Sequence, residues 1–401
     1  MKKLCVIFLS FAIFLPLYVQ ADDQPGKKKS NFARQHFEIG FGADAGVAND
    51  FFRLNDIFQK NLVLDMNQID DNMSENGINL KAVLLGDFFI TVKNINIAGG
   101  KWNFGISSVV SGSFTGNIPK NLATFIAEGN ANQNSFSGMF SVNGALFADA
   151  GLDVSAEFGK LRVGVRPALY TPLFFVPKSG INYTLDTTEG LSLTTYGGID
   201  IYSPFVKDGE LKFGSDISFD GRFGLFSFLD LGGSISNIPL VPTNVQNRMR
   251  LTMSGLDDWG FTGQDLIDGE GFDSFDVEFT ESYDVYAKRV FRPLRFDVFA
   301  RYKPFSSEFF VITPNIGFSV DINEKQGFFN TGVEARLNIN DLFVPYFSMG
   351  YGEGLWKHRL GFALNLRAFE LGLEASLQSQ TFVSSFQAKG VGVNLGIRFG
   401  W

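Results

Sequence analysis

An all-β chain closed into a transmembrane antiparallel barrel is the fold class this sequence predicts, and three observations predict it. The chain closes on GVGVNLGIRFGW, where Val391, Val393, Leu395, Ile397, Phe399 and Trp401 alternate with Gly390, Gly392, Asn394, Gly396, Arg398 and Gly400. Side chains alternate across a strand with period two, so one face is apolar, the other small or polar. Such a strand, ending on an aromatic ring, suits the closing strand of a barrel in a bacterial outer membrane. Composition agrees: 46 Phe and 44 Gly stand beside only 13 Pro, and 19% of the residues are charged. That mixture fits a sheet with lipid on one side and a crowded lumen on the other. The third observation is the N-terminus, where Lys2-Lys3 precede an apolar run from Leu4 to Val19 and small residues follow at Val19-Gln20-Ala21. This reads as a secretory signal over residues 1–21, cleaved after Ala21.

Charge and cysteine usage narrow the function classes. The net charge is −8 and moves to about −10 once Lys2 and Lys3 are removed. An acidic chain lacks the basic footprint that nucleic acid requires. Cys5 is the single cysteine and lies in the leader. The mature chain is therefore expected to hold no disulfide and no cysteine-based metal site. His36 and His358 are the two histidines, and neither sits in a catalytic or metal-binding motif. No phosphate-binding loop and no HExxH pattern is present either, so neither an enzyme nor a cofactor is expected.

Behind the leader, residues 22–34 are polar, with Lys27-Lys28-Lys29. Phe37, Ile39 and Phe41 alternate and suggest a short strand. Asn49 or Asp50 then caps a short helix carrying Phe51, Phe52, Leu54, Ile57 and Phe58. Asp65 to Asn79 is rich in Asp and Asn and reads as irregular. Residues 22–80 are thus expected to form a tail and an N-terminal lumen plug, with a periplasmic extension or extra strands as the alternatives. The barrel is expected over 81–401.

Long alternating segments fill that range. Leu146 to Phe158 and Leu161 to Leu169 meet at Gly159-Lys160, and a two-residue turn fixes their register. Glu157 then opposes Arg162 and Asp153 opposes Arg166, each pair worth about 0.2–1 kcal/mol. Phe310 to Val320, Val333 to Ile339, and Leu360 to Leu377 across Arg367-Ala368 repeat the pattern. Counting gives about 14 strands, and an even number places both ends in the periplasm. PKNLATFIAEGN, from Pro119 to Asn130, predicts a short helix, and Pro239 to Gly271 an acidic, strand-poor connection.

Candidate lumen charges are Asp153, Glu157, Arg162, Arg166, Glu334 and Arg336, which line a pore or form a salt-bridged interior. The acidic segment from Asp257 to Asp276 departs from calcium-loop spacing and reads as a solvated loop. Trp102, Trp356, Trp401, Tyr346 and Tyr351 sit near strand ends, as rings of an interfacial girdle do. The last strand has four glycines on its inner face beside Asn394 and Arg398. A plug would lie close to the wall there if the first strand is equally small-faced.

These features resemble bacterial outer-membrane β-barrels over nearly the whole mature chain, with Phe399 and Trp401 matching the terminal signal read by the assembly machinery. Length, a non-barrel N-terminal segment, a Phe-rich body and the strand number are similar to the long-chain fatty-acid transporter (FadL-like) family. The resemblance implies an N-terminal hatch within His36 to Asn79 and passive uptake of hydrophobic small molecules, with release through the barrel wall into outer-membrane lipid. The family's Asn-Pro-Ala hatch motif is absent: AGVANDFFRL stands in its place. A polar-solute porin and a surface-exposed adhesive barrel are the other readings.

Overall fold

The computed structural model describes residues 36–53, 73, 77–128, 135–188, 191–206, 210–253, 256–259, 279–352, 354–366 and 368–401. The expected leader and Leu54, Ile57 and Phe58 of the expected plug lie outside them.

The first five strands are β1 (Phe37–Asn49), β2 (Ile78–Ile97), β3 (Gly100–Ile118), β4 (Ser135–Phe158) and β5 (Leu161–Asp186). Helix α1 (Lys120–Glu128) lies between β3 and β4, as the sequence predicts. β6 (Leu191–Tyr202), β7 (Gly214–Phe226), β8 (Leu229–Val241), β9 (Thr243–Met253), β10 (Leu256–Trp259), β11 (Phe279–Val290) and β12 (Leu294–Tyr302) follow. The chain ends with β13 (Phe310–Asp321), β14 (Gln326–Leu337), β15 (Phe343–Gly352), β16 (Leu355–Leu366), β17 (Phe369–Ser379), the turn of helix α2 (Phe382–Ser385) and β18 (Gly390–Gly400).

Antiparallel pairing runs β1-β2-β3-β4-β5-β7-β8-β12-β13-β14-β15-β16-β17-β18 and returns to β1, so 14 strands close a ring. Closure satisfies every edge, which an open sheet cannot do. The barrel therefore begins at Phe37, well before residue 81. β1 pairs with β18 from Glu38↔Gly400 to Ala48↔Gly390 and with β2 from Phe37↔Val92 to Asn49↔Leu80. Residues 37–49 are wall and not plug, because their period-two pattern offers both backbone edges to a neighbour. The connection from Pro239 to Gly271 is likewise corrected. Its first part is strand, since β8, β9 and β10 carry the chain to Trp259.

Alternation sorts the two faces. Leu152, Val163, Leu169, Ile316, Leu360 and Val393 are exposed on the outer face. Charges fill the other, with Glu157 opposite Arg162 as expected. The closing strand lies as foreseen. The Trp401 ring packs 4.6 Å from Phe37, and Trp401 and Phe37 exchange backbone hydrogen bonds at 3.2 Å. Both ends of the described chain and the short turns at 98–99, 159–160 and 227–228 share one end of the barrel, the turn end. The long connections 50–77, 119–134 and 380–389 leave from the loop end.

β1 is as small-faced inside as β18, with Gly40, Gly42 and Gly46 opposite Arg398, Gly396 and Gly392. The seam is nevertheless not bare. The Phe89 ring lies over Gly40, so that a Cβ there would sit 2.2 Å from it, and a Cβ at Gly46 would sit 2.3 Å from the Gln378 amide. Gly40→Val must displace Phe89, and overpacking of this kind costs about 1–3 kcal/mol. A lowered temperature of the folded-to-unfolded shift in heated gel samples is the expected result. Unchanged mobility would mean that Phe89 swings away freely.

Candidate functional site

Three neighbouring ring positions are broken at one level. β5 pairs with β7 through Leu161–Tyr170 and then with β6 from Phe175 onward, so β6 and β7 share the sixth position. β8 passes into β9 across Pro242, and β11 into β12 across Phe291-Arg292-Pro293. β6, β9 and β11 continue the wall past the ring at the loop end, joined by their own ladder. Proline explains the level of the break, because it removes a ladder donor and fixes φ. Hydroxyls tie the broken ends: Ser203 donates to the Leu173 carbonyl at 2.7 Å and Thr243 to the Lys212 carbonyl at 2.7 Å.

Aromatic side chains gather inside that break. Phe147, Tyr170, Phe175, Tyr202, Val245 and Val290 form one buried cluster. Tyr170 shares the face of its register partner Asp149, which is the inner face. Lys288 holds its Nζ 5.2 Å from the Phe175 ring centre and 5.8 Å from that of Tyr202. A cation over a ring face gains electrostatically from the quadrupole. Among the described residues no carboxylate lies within salt-bridge distance of Lys288. The result is an apolar patch with the Lys288 ammonium at one edge and the carboxylate-paired Arg292 guanidinium, 5.8 Å from the Tyr170 ring centre, at another.

Immediately beside it the lumen is crossed by buried charge. Asp149 accepts from both Arg166 and Arg292. Arg292 also donates to the Asn237 amide oxygen and lies 3.4 Å from Asp216. The Asp149 and Asp216 side chains are 2% and 1% exposed. Asp149 stands on the fourth ring strand and Arg292 between the pieces of the eighth, so the contact is a chord through the lumen. Asn237 adopts φ +62°, a left-handed conformation rare for a strand residue, and donates to the Pro293 carbonyl at 2.9 Å. That strain is kept because it points the Asn237 amide at Arg292. A second buried cluster at the turn end joins Arg301, fully buried, to Asp230 and Glu308, with Lys303 2.9 Å from Asp230.

The charges singled out from sequence fall on the inner face, and the structure joins some of them. Arg166 Nε lies 3.4 Å from Asp153, though its closer partner is Asp149. Glu334 and Arg336 bond to each other on β14, and the Arg336 guanidinium lies 5.6 Å from the Tyr346 ring centre. Tyr346 is thereby a lumen residue and not a girdle ring. Asn49 holds the bend after β1, its side-chain oxygen accepting from the Phe51 amide at 2.9 Å and from the Phe52 amide, but residues 50–53 are bend and coil where a capped helix was expected. Phe51, Phe52 and Ile118 pack against Met73 and Ile78 at the loop-end rim. The rings of Phe51 and Phe52 meet edge to face at 4.9 Å, a contact worth about 0.5–1.5 kcal/mol. Phe51→Ala is expected to speed amide exchange at Met73 and Ile78. Unaltered exchange there would remove Phe51 from the rim's packing.

Sequence reasoning missed Asp216, Asn237, Arg292 and the whole aromatic cluster. The available signal was proline: seven of the 13 prolines lie between Pro167 and Pro293. His358 is buried on the outer face. Its Nε2 lies 2.7 Å from Ser385 Oγ. The Ser385 hydroxyl also meets the Phe382 carbonyl, and His358 Nδ1 has no partner. A serine nucleophile needs its base oriented by a third group, and here the hydroxyl is turned into its own helical turn.

No family model and no curated protein matches the sequence. Solved structures match its fold. The toluene transporter TodX of P. putida is 10% identical and aligns over 94% of this chain and 93% of its own, with a TM-score of 0.51. A TodX deletion mutant described as a monoaromatic hydrocarbon channel is 10% identical and aligns over 96% and 95%, with a TM-score of 0.50. A FadL homologue of Pseudomonas aeruginosa, 10% identical, covers 91% and 89% with a TM-score of 0.41. The likeness is one of fold: a closed antiparallel barrel spanning nearly the whole length of both chains.

Proposed function

We propose that this barrel lies in the outer membrane of a diderm bacterium and admits small hydrophobic molecules, long-chain fatty acids among them, by passive passage. The leader ending at Ala21 directs it there, and Phe399 and Trp401 present the assembly signal. The observation that carries the reading is the buried aromatic cluster with Lys288 at its edge. Rings receive an apolar body, and the ammonium meets a carboxylate head.

The neighbouring throat, where the Asp149–Arg292 pair crosses the lumen, supports a route out through the wall. An apolar ligand that pushed between Asp149 and Arg292 would strand buried charges, at a cost of several kcal/mol per ion. The interrupted strands at Pro242 and Pro293 lie beside the cluster and offer the shorter way. Phe51 and Phe52 serve at the rim as the first apolar contact. The same throat argues against the polar porin, which needs a hydrated path from end to end. Proteoliposomes should take up a fluorescent fatty acid and toluene faster than protein-free vesicles. Equal rates, or a large steady ohmic conductance in a planar bilayer, would reject this reading.

A further inference from the structure

Two loops at the loop end turn outward, away from the mouth, and carry exposed apolar side chains. The β17–β18 connection is folded down onto the outer face of β16. Phe382 meets Trp356 edge-on at 5.0 Å, and the Phe386 ring stacks on His358 at 4.1 Å. Thr381 caps the turn by accepting from the Ser384 amide at 3.2 Å, and the His358–Ser385 contact pins it from below. Despite this anchorage Val383 is 69% and Phe386 59% exposed. The second comprises residues 203–206 and 210–213 between β6 and β7. Its Phe205 packs 6.1 Å from Phe174, whose register partner Leu146 belongs to the outer face. Phe205 is 61% and Phe213 58% exposed.

A rigid turn that displays rings and aliphatic chains to water would be costly, because apolar area left in water forfeits about 25 cal/mol per Å². Both loops stand at the level where the strands leave the ring, in continuity with the apolar outer wall. One sits at the sixth ring position and the other between the thirteenth and fourteenth, on opposite sides of a ring of 14. We propose that they are paired lipid anchors, inserted into the adjoining bilayer leaflet at its interfacial level, which together set the depth and tilt of the barrel. Phe and aliphatic side chains carried on a polar-backed surface element bury at the boundary between headgroups and acyl chains. Two contacts on opposite sides resist rocking, which one contact cannot do.

This inference rests on the barrel crossing a bilayer, and the test separates the two. In a Cys5→Ser background, Phe205→Cys, Val383→Cys and Leu360→Cys are each spin-labelled in the full chain and reconstituted in phosphatidylcholine vesicles. Relaxation by oxygen and by a water-soluble nickel chelate reports depth. Leu360, 68% exposed in the middle of β16, marks the lipid-facing wall. The expected result is oxygen-dominated relaxation at all three sites, shallower at 205 and 383 than at 360. Lipid at 360 with water at either loop position overturns the paired anchors and leaves the membrane barrel standing. Water at all three positions overturns both. As a second reading, Phe382→Asp with Phe386→Asp should leave the label at 360 in lipid but change its depth; an unchanged depth also overturns the proposal.

Discussion

Arg292→Ala is expected to lower the unfolding free energy by about 3–5 kcal/mol, the usual cost of removing one partner from a buried ion pair. Three groups lose a partner at once. Asp149 keeps Arg166, but Asp216 loses the guanidinium 3.4 Å away and the Asn237 oxygen loses its donor. Urea unfolding of the barrel in lipid vesicles measures the loss. The same change removes the chord across the lumen, so ohmic steps should appear in a planar bilayer where the parent protein is nearly silent. Lysine at this place should rescue little, since a point charge cannot reach three partners as a planar fork does. Adding Asp216→Asn to the Arg292→Ala variant should return part of the stability, because an amide carries no unpaired charge. A loss below about 1 kcal/mol with no new conductance would show that water already screens this network.

How much of this was legible depends on whether the signal is local. Period two is local, and it placed the closing strand, the Gly159-Lys160 hairpin and the Glu157–Arg162 register. The start of the barrel was misplaced for a physical reason. β1 reads FEIGFGADAGVAN, whose inner face is half glycine and whose outer face is partly alanine, so its alternation is faint. Pairing with both β2 and β18 makes it a strand, and that is a tertiary effect. The throat was invisible because Asp149, Asp216, Asn237 and Arg292 come from four separated segments, and ring closure alone brings them together. Tyr346 was misassigned by one face. Its distance from a strand end suited a girdle, but its register partner Gly361 leaves room for the ring inside the lumen. The prolines announced irregular backbone, and only the paired strands show that the breaks are aligned.

Lys288→Gln is the change that separates ligand classes most sharply. A hydrogen bond to a charged group is worth about 1.5–3 kcal/mol, which is about 10- to 100-fold in affinity. Fatty-acid binding should weaken by that factor, whereas a neutral aromatic hydrocarbon should change less than about twofold, because it meets only the rings. Phe175→Ala should instead weaken both, since it removes apolar contact common to the two ligands and takes away one face over which Lys288 sits. Tryptophan fluorescence or calorimetric titration in detergent, with a fatty acid and toluene in parallel, reads all four combinations. Equal losses for both ligands in Lys288→Gln would make the lysine a packing residue, its methylene stem covering Phe175 and Tyr202. The barrel would then be a hydrocarbon channel indifferent to a carboxylate head. An acid-selective loss places the head at Lys288 and the tail along Phe175 and Tyr202. The broken wall at Pro242 and Pro293 then lies nearest the part of the ligand that prefers lipid.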